Sequence, residues 1–162
     1  MKSRIVEAKW AAIFIATMLV WMLLEKLTGL HSTHIDKQQY LTMLFAVPAI
    51  LVYVLALRDK KRSYYNGQMT YVQGLVSGVI ITAIVTILSP LSQWVISYVI
   101  TPEYFPNVIA YSLKTGYFKT LEEAQAYFSY RNFAIQSIVW SLGMGIATSA
   151  VVAIFVRSKK KS

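Results

Sequence analysis

The sequence predicts an all-α fold: a four-helix transmembrane bundle with a short helical extracytoplasmic segment between its third and fourth helices. Three observations predict it. Residues Tyr71–Ile100 run for thirty positions without a charged side chain, whereas about twenty predominantly apolar residues suffice to cross a bilayer. The 162-residue chain is 56% hydrophobic and only 14% charged, against about 25% charged in soluble domains. Its net charge of +9 comes from residues beside the ends of apolar runs, the placement that sets membrane topology. That position also argues against a nucleic-acid partner, which calls for a basic patch on a folded surface. The length suits a single domain, residues 1–162. With no cysteine, disulfides and thiolate metal sites are excluded.

The first span is expected over Lys9–Leu30. Met1-Lys2-Ser3-Arg4 and the apolar Trp10–Leu24 look like a signal peptide, but Leu24-Glu25-Lys26-Leu27 offers no small-residue cleavage site. The fully apolar part is fifteen residues, short for a crossing. Glu25 and Lys26 therefore lie in the outer headgroup region or snorkel towards it.

After a polar link at 29–39, the second span is expected over Tyr40–Leu57, kinked at Pro48. Proline removes a backbone donor, and membrane helices accept it where neighbours satisfy the freed carbonyl. Arg58–Gly67 is basic, aromatic and then turn-forming, a cytoplasmic loop by composition. The third span, Tyr71–Ile100, would reach about 45 Å as a straight helix, so it should tilt, kink at Pro90 or project outward. Its Gly74-x-x-x-Gly78-x-x-x-Thr82-x-x-x-Thr86 row puts small residues on one side, where another helix can approach closely. Residues 101–131 form the extracytoplasmic segment. There Asn107–Gly116 reads as a short interfacial helix, and Thr120-Leu121-Glu122-Glu123 fits a capping box. The fourth span, residues 132–156, repeats the small-residue row at Ser141, Gly145, Ser149 and Ala153.

Charge fixes the expected orientation. With the N-terminus in the cytoplasm, the inner side holds eleven basic residues (Lys2, Arg4, Lys9, Arg58, Lys60, Lys61, Arg62, Arg157, Lys159, Lys160 and Lys161) against Glu7 and Asp59. The outer side balances at five against five. Both termini are thus expected in the cytoplasm.

The candidate functional cluster is Glu25, Lys26, His31, His34 and Asp36, because ionisable residues at membrane depth are functional candidates by default. Glu25 could hold a cation, a lipid headgroup or a proton; the bland alternative is a pair of snorkelling anchors. His31-x-x-His34-x-Asp36 offers metal-ligand types, but the spacing matches no metal motif, and a solvated loop explains it. Glu103, Glu122 and Glu123 are the other outer carboxylates, and capping and the helix dipole account for the last two. Gln73, Gln93, Gln136, Ser77 and Ser137 are expected to hydrogen-bond between helices. The small-residue rows at Gly74, Gly78 and Thr82 and at Ser141, Gly145 and Ser149 are helix-packing surfaces, within one chain or across a dimer. No phosphate loop, nucleophile elbow or HExxH helix is present, so no catalytic residue, cofactor or metal is assigned.

Several stretches carry a family resemblance: Trp21-Met22-Leu23-Leu24-Glu25-Lys26-Leu27 running to His34-Ile35-Asp36-Lys37, Ala46-Val47-Pro48-Ala49-Ile50, Ala56-Leu57-Arg58-Asp59-Lys60, Leu88-Ser89-Pro90-Leu91 and Ile100-Thr101-Pro102-Glu103-Tyr104-Phe105. With them the chain resembles domain-of-unknown-function family 4199 over nearly its full length. The resemblance implies a small four-helix protein of the bacterial inner membrane and no reaction. The expected function is therefore a non-enzymatic accessory or scaffold subunit of an envelope-related membrane complex. Its partners would be membrane lipids and another membrane protein or a second copy, and no nucleic acid. The alternative is a small transporter or lipid-handling protein that uses Glu25 and the helices kinked at Pro48 and Pro90.

Overall fold

The computed structural model describes residues 2–158, with side chains from Arg4 onward. Lys159, Lys160 and Lys161, counted above among the inner charges, lie outside the described residues, as does the side chain of Lys2. Helix α1 (Lys2–Leu27) leads to a short α2 (Ile35–Leu41), which passes through a 3₁₀ turn, Thr42–Phe45, into α3 (Ala46–Ser63). Helix α4 (Tyr71–Val95) ends in a π turn over Ile96–Ile100, followed by α5 (Tyr104–Lys114), α6 (Leu121–Tyr127) and α7 (Tyr130–Val156). Four stretches are long and apolar enough to cross a membrane: Arg4–Leu27, Ile35–Ser63, Tyr71–Ile100 and Tyr130–Val156. The fold is an all-α bundle.

The first crossing stretch, Arg4–Leu27, begins and ends earlier than the expected Lys9–Leu30, and the second, Ile35–Ser63, extends beyond the expected Tyr40–Leu57 at both ends. Helix α1 carries its charged first two turns without breaking, because Glu7 is buried against partners on other helices. The second stretch begins at Ile35, with its irregular turn directly before Pro48, whose ring crowds the preceding turn and which offers no N–H.

Helices α4 and α7 are locked together by their small-residue rows, in antiparallel register. A Cβ on Gly78 would sit 2.5 Å from Ser149 Oγ, one on Gly145 2.5 Å from Thr82 Cγ2, and one on Gly74 3.3 Å from Ala153 Cβ. Further along, Thr86 and Ser141 share a hydroxyl hydrogen bond of 3.0 Å, and Ser137 donates to Ser89 at 3.3 Å. Hence as one row ascends the other descends, and backbones approach where side chains are smallest. Tyr53 of α3 joins this seam through a 2.7 Å bond with Thr82.

Helix α4 passes through Pro90 without ending. The carbonyl that a residue-90 N–H would have served, that of Thr86, accepts instead from Ser89 Oγ at 2.9 Å. The Pro90 carbonyl accepts from Tyr130 Oη at 3.1 Å. In lipid, where water does not reach the backbone, such repairs make an interior proline tolerable. Large apolar side chains point away from the bundle, among them Val47, Ile87, Val139 and Phe155, as lipid-facing helices require.

Candidate functional site

Two polar centres lie on α1, one near each end. At the end shared with both chain termini, Glu7 is 2% exposed and Lys60 of α3 is 1% exposed. Lys60 Nζ lies 2.8 Å from Glu7 Oε1, and Ser77 of α4 donates to the same oxygen at 2.9 Å. The Lys60 ammonium also lies 4.3 Å from the centre of the Tyr64 ring. Beside this pair, Asp59 accepts from Lys9 and, at 2.7 Å, from Trp10 Nε1. Lys61 donates to the Val156 carbonyl at 2.9 Å, which caps α7. Lys9, Lys60 and Lys61, counted among the basic residues behind the expected orientation, therefore also make structural contacts. The sequence signal for this was Glu7 itself, a lone acid in a basic leader.

At the opposite end the chain folds Glu25 onto His31. Gly29 makes this possible: it adopts φ +78°, the left-handed conformation that glycine reaches without steric cost. Leu30 N–H donates to Glu25 O at 2.9 Å and Gly29 N–H to Lys26 O at 3.0 Å. This is the Schellman ending of a helix, with Leu30 as its buried apolar residue. The reversal returns His31 beneath the last turn of α1. Its Nε2 lies 3.0 Å from Glu25 Oε2, and Trp21 Nε1 donates to Glu25 Oε1 at 2.5 Å. Glu25 is 2% exposed and His31 5%. The His31 ring meets Tyr104 edge-on at 5.1 Å, and Asn107 of α5 donates to the His31 carbonyl at 2.9 Å. Burial, then the neighbouring Glu25 carboxylate, raises the Tyr104 phenol to about 12, so it stays a protonated donor.

The predicted cluster thus divides. Glu25 and His31 come together and are buried. His34 and Lys37 reach the same neighbourhood from the exposed side, while Lys26 and Asp36 are exposed. Among the described residues, no three of the His, Asp and Glu side chains converge as a metal site would need. Sequence reading missed Trp21 and Tyr104 as partners of this centre; the four-residue step from Trp21 to Glu25 was the available signal.

Two spaces flank the Glu25–His31 pair. On the lipid-facing side a groove of about 400 Å³ is lined by Trp21, Leu24, Glu25, Leu30, Leu41 and Leu44, with Thr28, His34 and Lys37 on its polar side. On the inner side a smaller cavity of about 160 Å³ is bounded by His31, Gln38, Gln93, Ser97, Thr101 and Tyr104, with Met22, Ile96 and Phe133 completing the wall.

The model of a family described as "Protein of unknown function (DUF4199)" matches residues 9–158. The chain belongs to this family. No curated protein and no solved structure matches it. With four crossing-length helices, this DUF4199 member is a multi-pass membrane protein, and its site has to be read from its own geometry.

Proposed function

We propose that this protein is a non-enzymatic, lipid-handling subunit of the bacterial inner membrane that holds an anionic lipid in the groove beside Glu25. The observation that carries the reading is the groove's division of labour. Its walls are tryptophan and leucine, suited to an acyl chain, and its polar edge carries the Lys37 ammonium and His34. Both carboxylate oxygens of Glu25 are already bonded, to Trp21 and His31, which moderates the repulsion an anion would meet there. The volume falls within the range of about 300–1,000 Å³ common for ligand sites.

In this reading the end bearing both termini faces the cytoplasm, on the strength of the lysine and arginine excess there, and the groove opens at the outer leaflet. The protein would serve as an accessory to an envelope-related membrane enzyme, presenting or sensing a lipid rather than transforming it. Reconstitution with a phosphatidylglycerol carrying a photoreactive group in its acyl chain tests this. Adducts should concentrate on Trp21, Leu41 and Leu44 and fall about fivefold in Lys37→Gln, since one basic residue near an anionic headgroup contributes about 1 kcal/mol. Labelling spread evenly around the apolar belt would show only boundary lipid and overturn the assignment.

A further inference from the structure

The inner cavity is a different kind of space. His31 lines it, and the ring's Nδ1 is buried with no hydrogen-bond partner among the described residues, while its Nε2 is held by the contact to Glu25. Leaving a buried nitrogen unserved costs about 1–3 kcal/mol, so the position favours a guest that bonds to it.

The rest of the lining says what kind of guest. Gln38, Gln93, Ser97, Thr101 and Tyr104 are all uncharged. Gln93 Nε2 already donates to Ser97 Oγ at 3.0 Å and Thr101 Oγ1 to the Ile96 carbonyl at 3.2 Å. The capacity left in the wall, the Gln93 carbonyl among it, includes both donors and acceptors. An anion would find no lysine or arginine in this wall and would face Glu25 from behind His31. A cation would find no carboxylate in the lining itself. Hydroxyl groups, which likewise donate and accept, match the wall. Met22, Ile96, Phe133 and the ring of Tyr104 offer apolar surface to the C–H side of such a molecule. At about 30 Å³ for each water, the cavity has room for about five waters, or for one compact polyol.

We infer that this cavity is a binding site for a small uncharged group bearing adjacent hydroxyls, held by His31 Nδ1, Gln93 and Tyr104. The hydroxyls could belong to a free polyol or to a glycerol headgroup, and the test separates the two. This site stands apart from the groove reading, since it does not use Lys37 or an anionic charge.

The chain has only two histidines, His31 and His34, so ring ¹⁵N signals of histidine-labelled, full-length protein in phosphatidylcholine nanodiscs report on it directly. Glycerol and a monosaccharide are titrated separately, with inorganic phosphate as the unmatched probe. The His31 Nδ1 signal should move saturably with a polyol, while the His34 ring and the phosphate titration stay flat. Apparent affinity should fall about fivefold in Gln93→Leu and in Tyr104→Phe, each of which removes about one hydrogen bond. Tyr104→Phe keeps the ring and its packing, so it remains informative if Gln93→Leu does not fold. The same His31 shift on moving to phosphatidylglycerol nanodiscs, without free polyol, would place the hydroxyls on a lipid. No saturable shift from either source, or equal affinity in Tyr104→Phe, would reduce the cavity to bound water and overturn the site.

Discussion

The two buried charges of α1 are treated in opposite ways. Glu7 finds its partners far along the chain, on α3 and α4, and the resulting Glu7–Lys60–Ser77 knot joins three helices. Glu25 finds Trp21 one turn back and His31 six residues on, so its partners come from its own neighbourhood. The first arrangement closes an interface and borders neither of the two spaces described. The second sits between a groove and a cavity. Distant partners make a charge part of the scaffold; local partners leave it beside space a ligand can use.

The largest break in this comparison is expected at the closed end. Lys60→Met leaves Glu7 buried without its cation, and removing one member of such a pair costs about 3–5 kcal/mol. Thermal unfolding in lipid nanodiscs should show it, and the double variant Glu7→Leu/Lys60→Met should recover most of the loss. A single variant as stable as the parent would mean that Glu7 and Lys60 are not a buried pair. Next is Gly78→Leu, which drives a side chain into Ser149 and should cost about 1–3 kcal/mol as overpacking. Unfolding and oligomer size are read separately there. A change of oligomer size with unchanged stability would place the α4 row at an interface between copies instead of against α7.

At the open end, Gly29→Ala forces a positive φ on a residue with a Cβ and brings that Cβ within 2.5 Å of Thr33 Oγ1. A left-handed residue costs about 1–2 kcal/mol, and the more telling expectation is the loss of the His31–Glu25 contact, visible in the His31 ring ¹⁵N shifts. The smallest effect vanishes at neutral pH. Because Tyr104 is raised from 10.0 to about 12, the folded chain keeps this proton longer than the unfolded one. Stability from this group is complete below pH 10 and is lost as pH rises through about 12. Tyr104→Phe should flatten the alkaline limb of a stability–pH curve and leave its neutral region unchanged.

Much of the scaffold was legible because membrane helices are written in long, one-dimensional signals. The thirty uncharged residues give the third span at its observed limits, and the rows at Gly74, Gly78, Ser149 and Ala153 lie where the third and fourth apolar stretches meet. Pairing Glu7 with Lys60 was not legible, since nothing local says which of the many cations at that end a lone acid will choose. Helix starts show the same limit. Thr120 accepts from Glu123 N–H, half of the expected capping box, whereas the reciprocal box occurs at Thr70 and Gln73, where the same S/T-x-x-Q pattern lay unread. Glu25 and His31 were both singled out, but their contact depends on the turn at Gly29, a backbone event that side-chain chemistry does not announce.

Native mass spectrometry of the protein released from mixed phosphatidylglycerol and phosphatidylcholine membranes tests the contrast between the two ends most directly. One retained anionic lipid is expected on the parent chain and on Glu7→Leu/Lys60→Met, and it should be lost from Leu44→Trp and Lys37→Glu. A lipid that survives both groove variants, or that departs with the Glu7–Lys60 pair, would contradict the assignment of scaffold to one end and ligand to the other.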